Sequence, residues 1–115
     1  MIAEYNWPHQ SCSDSSLGLE NRAIPDSSIF AENSDLDTSP SDVRLGDAEG
    51  WCASSPVLGV YLKVDLRSPH VICAIGTQGD LRGDVAYVRK YQLELAVKDY
   101  NSEFYKENGI IKVCY

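Results

Sequence analysis

The sequence predicts an all-β protein, an antiparallel β-sandwich or jelly roll, and three observations support this fold class. Between Val60 and Leu66 every even-numbered residue is apolar and every odd-numbered residue is polar or amphipathic. This period of two is what a strand with one buried face requires. Several short strand-forming segments are separated by turn-forming residues, a pattern typical of sandwiches and jelly rolls. Neither a heptad nor a sustained helical period of apolar residues is present.

Individual strands are predicted from local composition. They are expected near residues 43–45, 60–66, 71–76, 88–97 and 110–114. The segment 71–76 is rich in β-branched and other apolar residues, as in the core of a sandwich. Along the segment 88–97, Tyr91, Leu93 and Leu95 fall on one face because successive side chains of a strand alternate between its faces.

The remaining segments are expected to be loops. Residues 1–11 form a polar lead-in, which we expect to be poorly ordered. The stretch 31–42 is rich in Ser, Asp and Asn and predicts a long surface loop. Further loops are predicted over 46–56 and 77–84, and a polar turn region over 98–109. The strands between these segments would hold the loops in place.

Length and charge restrict the possible functions. A chain of 115 residues has room for one domain. The net charge of −7 argues against nucleic-acid binding, because neutralising phosphates requires concentrated Lys and Arg. The same charge disfavours a general attraction to anionic membranes. The chain contains no apolar run of transmembrane length, and its first residues lack the features of a secretory signal peptide.

No catalytic motif stands out in the sequence. A Ser-centred elbow, a paired-carboxylate motif and a glycine-rich phosphate loop are all missing, so we expect neither an enzyme nor a cofactor. His9 and Cys12, and likewise His70 and Cys73, have spacings that could suit zinc. Residues three apart on a strand face opposite sides, however, so a zinc site is disfavoured.

Calcium is a second metal alternative, for the acidic loops. Oxygen donors in two adjacent loops are Asp35, Asp37, Asp42, Asp47 and Glu49. Their spacing is not that of an EF-hand, and acidic surface runs are usually only solvated. We therefore expect no resident metal, with Asp35, Asp37 and Asp42 as the candidate ligands if calcium does bind.

The four cysteines are disulfide candidates. Cys12, Cys52, Cys73 and Cys114 allow three complete pairings, among which the sequence does not choose. Cys73 lies in an apolar segment and is either a buried thiol or a partner of Cys52. Free thiols at some or all four positions are the other possibility.

Seven segments in order resemble the motifs of the discoidin domains, also called coagulation factor 5/8 C-type domains. The likeness begins at Cys12 and extends to about Val113. It rests on Leu17-Gly18-Leu19-Glu20 after Cys12, Ile24-Pro25-Asp26-Ser27-Ser28-Ile29, Val43-Arg44-Leu45, Trp51-Cys52-Ala53, Tyr61-Leu62-Lys63-Val64-Asp65-Leu66, Ala74-Ile75-Gly76-Thr77-Gln78-Gly79, and Tyr87-Val88-Arg89-Lys90-Tyr91-Gln92-Leu93.

The resemblance implies a galactose-binding-like jelly roll whose loops project from one end. It further implies that residues 12–115 form one domain that is incomplete at its C-terminus and stops before the last strands. In the family the opening cysteine, here Cys12, pairs with a closing cysteine that this sequence lacks. Cys52, the cysteine after the tryptophan, would also pair within the missing region, and Cys114 has no counterpart in the family pattern.

The resemblance also implies a non-catalytic extracellular recognition module for cell adhesion, secreted or in an ectodomain. Its partner would be a carbohydrate or a cell-surface or matrix protein. The implied loop residues are Asp35, Leu36, Asp37, Asp47, Glu49, Gln78, Asp80 and Arg82. Carboxylates beside Leu36 make membrane phospholipid an unlikely partner. Collagen recognition is disfavoured, because the first loop has no aromatic residue and Asp80 stands where the collagen-binding members have an arginine.

Two alternatives remain open. The chain could be a truncated fragment without autonomous binding, or an accessory domain of a larger extracellular enzyme or receptor. A sugar site would need an aromatic platform, for which Trp51 is a candidate beside Gln78, Asp80 and Arg82. We interpret Trp51 as a core residue instead, because large aromatics are usually used in packing.

Overall fold

A computed structural model describes residues 3–4, 16–35, 37–46, 50–55, 59–79, 87–98 and 101–114. The chain divides into two compact units, Met1–Val85 and Ala86–Tyr115. The expectation of a single domain over 12–115 stays a prediction.

The described residues form short strands and two 3₁₀ helices, without an α-helix. The strands are β1 (Ala3–Glu4), β2 (Ile29–Ala31), β3 (Leu62–Val64), β4 (Ile72–Ala74), β5 (Tyr91–Gln92), β6 (Glu94–Ala96), β7 (Ser102–Phe104), β8 (Lys106–Glu107), β9 (Ile110–Ile111) and β10 (Val113–Cys114). They associate in five two-stranded pairs, all antiparallel. The predicted all-β class is confirmed.

The pair of β2 and β3 carries the core of the first unit. Its register places Ile29 opposite Val64. The buried residues Leu19, Ile24 and Ile29 form the centre of this core. Leu62, Val64 and Leu66 pack against them, whereas the odd-numbered residues between them are exposed. The period of two in the sequence therefore corresponds to the buried and exposed faces of this strand.

The strand expected over 43–45 is wrong. A 3₁₀ helix spans Pro40–Val43 and is followed by a turn. Its start is fixed by a capping box, in which the backbone N–H of Ser39 donates to Oδ2 of Asp42 at 2.7 Å. Proline at the first helical position suits a helix start, because its missing N–H would be unpaired there anyway. These local signals outweigh the strand propensity of Val43.

The segment expected over 71–76 is shorter and less buried than predicted. Only Ile72–Ala74 is a strand, and Val71 is 46% exposed. Its partner is the backbone of Ala3–Glu4, so part of the lead-in expected to be poorly ordered pairs with β4. The remainder of the lead-in lies outside the described residues.

The second unit is built on the segment Tyr91–Ala96. The antiparallel partners of this segment are β10 at one end and β7 at the other. The N–H of Tyr105 donates to the carbonyl of Leu93 at 2.8 Å and joins the two pairings. Between β7 and β10 the chain leaves this ladder as a hairpin of β8 and β9. The N–H of Lys112 donates to the carbonyl of Tyr105 at 2.9 Å and closes the base of the hairpin.

The polar turn region expected over 98–109 is therefore only partly a turn. It contains β7 and β8; the N–H of Asn101 donates to the carbonyl of Lys98 at 3.0 Å before β7, and Asn108-Gly109 forms the turn after β8. Both turn residues have positive φ, at 51° and 78°. A two-residue type I′ hairpin turn requires this conformation, and Asn-Gly is the pair that adopts it most readily. The strands on either side depend on cross-strand pairing, which local composition does not report.

Candidate binding loops

Two of the three predicted loops are hydrogen-bonded to each other. The N–H of Asp35 donates to the carbonyl of Cys52 at 2.8 Å, and the N–H of Ser54 donates to the carbonyl of Asn33 at 2.6 Å. Ser34 and Ala53 form an isolated antiparallel bridge between these bonds. We refer to residues 33–35, 37–38 and 51–54 as the loop cluster. The first two loops thus meet along a short ladder.

The hydroxyl of Thr38 connects both strands of this ladder. Its Oγ1 lies 3.1 Å from the carbonyl oxygen of Cys52 and 3.4 Å from that of Asp35. The same oxygen accepts a hydrogen bond from the N–H of Cys52 at 3.3 Å. The N–H of Thr38 also donates to the carbonyl of Asp35 at 3.0 Å, closing a tight turn. Backbone groups of both loops are satisfied within the cluster, which reduces the freedom of these loops before any partner binds.

Trp51 is half-buried and contacts the first loop through its indole. Nε1 of Trp51 donates to Oγ of Ser34 at 2.8 Å. The polar edge of the ring is therefore already occupied. This contact favours a packing role for Trp51 over the alternative role as a platform for a sugar.

Gln78 connects the third predicted loop to the second. Its Oε1 accepts a hydrogen bond from the N–H of Gly46 at 3.1 Å, and its side chain is exposed. This hydrogen bond of the side-chain carbonyl holds the second and third predicted loops together. The amide nitrogen of Gln78 is the group that remains to contact a partner.

The predicted site residues fall into two groups. The described members are all exposed: Asp35 and Asp37 lie in the loop cluster, and Gln78 contacts Gly46. Leu36, Asp47, Glu49, Asp80 and Arg82 lie outside the described residues. Asp35 and Asp37 are thus the acidic loop residues that the structure places beside the ladder.

The calcium alternative does not fit the described residues. No group of three or more His, Cys, Asp or Glu side chains among them is arranged to hold a metal ion. Asp42 uses a carboxylate oxygen to cap the 3₁₀ helix. The proposed set of Asp35, Asp37 and Asp42 therefore does not assemble into a calcium site.

The structure excludes both roles that the sequence suggested for Cys73. Cys73 is disulfide-bonded, so it is neither a buried thiol nor a partner of Cys52. Cys52 and Cys114 are free and half-buried. Cys12 lies outside the described residues.

Sequence reasoning missed the role of Arg44, which is 4% exposed. Its Nη1 donates to the carbonyl of Leu19 at 2.6 Å, and its Nη2 donates to the carbonyl of Ile24 at 2.8 Å. Nη2 also forms an ion pair with Asp26 at 2.5 Å, although that carboxylate is largely exposed. Nε is buried without a partner among the described residues. Arg44 therefore fastens the end of the first loop to the core segment.

Arg67 fastens the end of β3 in a related way. It adopts a left-handed backbone conformation, with φ 64°, and its N–H donates to Oδ1 of Asp65 at 2.8 Å. The guanidinium donates to the hydroxyls of Ser28 at 2.7 Å and Ser27 at 3.1 Å. The signal that could have revealed it is the aspartate two residues earlier, because Asp side chains commonly accept from the backbone two residues on.

Within the described parts of the chain, no helix is both long enough and apolar enough to span a bilayer.

Comparison with known proteins identifies relatives that share a named domain. The epithelial discoidin domain-containing receptor 1 of Rattus norvegicus is 38% identical over 86 residues, which cover 67% of this chain and 10% of the receptor. Neuropilin-2 of Homo sapiens is 33% identical over 103 residues, covering 84% of this chain and 11% of neuropilin-2.

Lactadherin of Rattus norvegicus is 32% identical over 108 residues, covering 84% of this chain and 25% of lactadherin. No family model and no solved structure matches the chain. The chain thus spans a quarter or less of the length of these relatives. Together with the ordered motifs from Leu17 to Leu93 and the all-β fold, these likenesses show that the chain belongs to the discoidin-domain family.

Proposed function

We propose that this chain is a non-catalytic extracellular recognition module that binds a cell-surface or matrix protein through its loop cluster. The observation that carries the proposal is the hydrogen-bonded ladder between residues 33–35 and 52–54. Loops ordered in the free protein lose less conformational entropy on binding than flexible loops do. A relative that is named as a receptor supports recognition as the general role.

The charge of the loop cluster favours a partner with a basic patch. Asp35 and Asp37 are exposed within it, and Glu32 is exposed immediately before it. The whole chain carries a net charge of −7. Opposite charge on a partner would speed association and fix its orientation, because complementary potentials steer encounter. The same carboxylates would repel anionic phospholipid headgroups.

A protein partner is preferred to a carbohydrate because of the contacts of two loop residues. The polar edge of Trp51 is bonded to Ser34, and the carbonyl oxygen of Gln78 is bonded to Gly46. Sugar sites need an exposed aromatic face together with several free polar groups. Asp80 and Arg82, which could complete such a site, lie outside the described residues.

An extracellular location is supported by the disulfide at Cys73, because disulfides persist mainly in oxidising compartments. It also agrees with the discoidin-domain relatives, one of which is named as a receptor. The proposal concerns this module alone. An enzyme elsewhere in a larger protein would not change how the loop cluster binds.

The test uses a fluorescent multimer of the 115-residue chain on cultured adherent cells. We expect saturable binding that falls as salt concentration rises, because exposed charges are screened. Trypsin treatment of the cells should abolish binding, and enzymatic removal of glycans should leave it unchanged. The reverse pattern would assign the loop cluster to a carbohydrate and would contradict the proposal.

Charge-matched variants connect the binding to the loop cluster. Asp35→Asn with Asp37→Asn should weaken binding strongly and flatten its salt dependence. The control, Glu20→Gln with Glu103→Gln, removes the same charge from exposed positions outside the cluster and should bind as the unmodified chain does. Equal binding by the two double variants would show that the loop cluster is not the contact surface.

A further inference from the structure

The tip of the β8–β9 hairpin carries an asparagine with an unusual neighbour. The chain contains five asparagines, and only Asn108 is followed by glycine. Asn108 and Gly109 are both exposed. An atom added at the Cβ position of Gly109 would meet nothing within 4 Å, so the peptide between the two residues is open to solvent on that side.

We propose that Asn108 is a site of spontaneous deamidation that opens this hairpin over time. The amide nitrogen of Gly109, after losing its proton to base, attacks Cγ of Asn108 and forms a new N–C bond. The Cγ–Nδ2 bond breaks and ammonia leaves with a proton from water. Water then hydrolyses the resulting succinimide at one of its two carbonyls, which yields aspartate or isoaspartate. No oxidant, metal or enzyme is required.

Glycine at position 109 favours the attack because it has no side chain to shield its nitrogen. Attack requires Asn108 to rotate about its Cα–C bond, and the pairing of Glu107 with Ile110 on either side of the turn restricts that rotation. The reaction therefore proceeds from the open hairpin. The rate of modification reports how often the hairpin opens.

Opening this hairpin breaks few contacts. Its strands contribute two residue pairs, and its base is closed by one backbone hydrogen bond from Lys112. The ammonium of Lys112 also forms an ion pair with Glu107 at 2.8 Å, with both side chains partly exposed. Ile110 is 74% exposed and adds little burial. Regions with few buried contacts and solvent-exposed hydrogen bonds open most readily.

The other described asparagines are less suited to the reaction. The side-chain oxygen of Asn21 accepts a hydrogen bond from the N–H of Ala23 at 3.0 Å. Asn33 is held in the loop cluster through its carbonyl, and Asn33 and Asn101 are each followed by serine. A serine side chain hinders the approach of the attacking nitrogen. Asn108 should consequently be the first of the four to react.

Deamidation of Asn108 would alter the two-residue turn permanently. Isoaspartate lengthens the backbone by one carbon, so a two-residue loop can no longer keep Glu107 opposite Ile110. The new carboxylate at position 108 also lies next to Glu107 in sequence, where like charges repel. The hairpin of the modified chain therefore spends more time open than that of the original chain.

The test incubates the 115-residue chain in mildly alkaline buffer and follows each asparagine by peptide mass spectrometry. We expect Asn108 to gain the mass difference between a hydroxyl and an amino group first, with isoaspartate as the main product. Asn108→Gln should remove this product, because glutamine would have to close a larger ring. Earlier modification of Asn21, Asn33 or Asn101 would overturn the proposal.

A second variant tests whether hairpin opening controls the rate. Lys112→Met removes the ion pair at the base and should make deamidation of Asn108 severalfold faster. Lys98→Met removes the same charge from an exposed position outside the hairpin and should leave the rate unchanged. Equal rates in both variants would show that the ion pair at the base does not gate the reaction.

Discussion

The two units of the chain are stabilised in different ways. The described part of the first unit has a core of Leu19, Ile24 and Ile29. In the second unit no described residue is buried, and Val97 and Ile110 are 81% and 74% exposed. The first unit therefore depends on apolar burial. The second depends on hairpin pairing and turn chemistry, which are local and individually weak.

The largest expected effect separates the two units directly. Leu19→Ala removes a side chain that is 2% exposed and should lower the free energy of unfolding by about 2–5 kcal/mol. Val97→Ala removes an exposed side chain from the second unit and should change it by less than about 0.5 kcal/mol. Urea unfolding followed by far-ultraviolet circular dichroism, which reports both units, measures both. Similar losses would contradict the assignment of the core.

The second-largest effect on the free energy of unfolding is expected from a buried polar contact in the first unit. Arg44→Met leaves the carbonyls of Leu19 and Ile24 without their donor, and each buried unsatisfied group costs about 1–3 kcal/mol. The loss is partly offset because a buried charge is removed, so we expect about 2 kcal/mol in urea unfolding. Arg89→Met is the control, because Arg89 is exposed in the second unit. If both variants unfold alike, Arg44 does not fasten the core segment.

The alternation of apolar and polar residues predicted the packed strand of the first unit. It could not predict contacts between residues that are distant in sequence. The alternation from Val60 to Leu66 is complete within seven residues, so the sequence alone contains it. The acceptors of Arg44 lie 25 and 20 residues away along the chain. No local pattern could indicate that this arginine turns inward after a 3₁₀ helix.

The candidate binding loops, like the core of the first unit, were only partly predictable from the sequence. The loops over 31–42 and 46–56 follow from their polar composition, and residues of the two do come together. The contact through the Thr38 hydroxyl was not predictable, because Thr38 and Cys52 meet only after both loops fold back. In the second unit, Asn108-Gly109 signalled a turn, whereas the polar strand β7 exists only through its pairing with β6.

Turn chemistry should give a smaller and more local effect in the second unit. Gly109→Ala places a side chain at φ 78° and should destabilise the hairpin by about 1–2 kcal/mol. Amide hydrogen exchange at Lys112, whose N–H closes the base of the hairpin, measures this opening. Exchange in the first unit should be unaffected. Unchanged protection of Lys112 would mean that the turn does not control the hairpin.

The smallest effect concerns Tyr91, which lies beside Cys114 in the pair of β5 and β10. Burial raises the pKa of Tyr91 above its ordinary value of 10.0, and the charge of the Cys114 thiolate and the hydrogen bond with Cys114 raise it further. The folded unit thus binds this proton more tightly than the unfolded chain does. Its contribution to stability is complete below pH 10.0 and is lost as the pH rises through the folded pKa.

Alkaline titration of tyrosinate absorbance tests this prediction. Subtracting the curve of Tyr91→Phe from that of the unmodified chain gives the titration of Tyr91 alone, which should lie above its ordinary range. Cys114→Ser should lower that pKa only in part, because burial is the larger cause. A difference curve at the ordinary value would mean that Tyr91 is solvated. The contrast between the two units would then be greater, because burial would not stabilise the pair of β5 and β10 in the second unit.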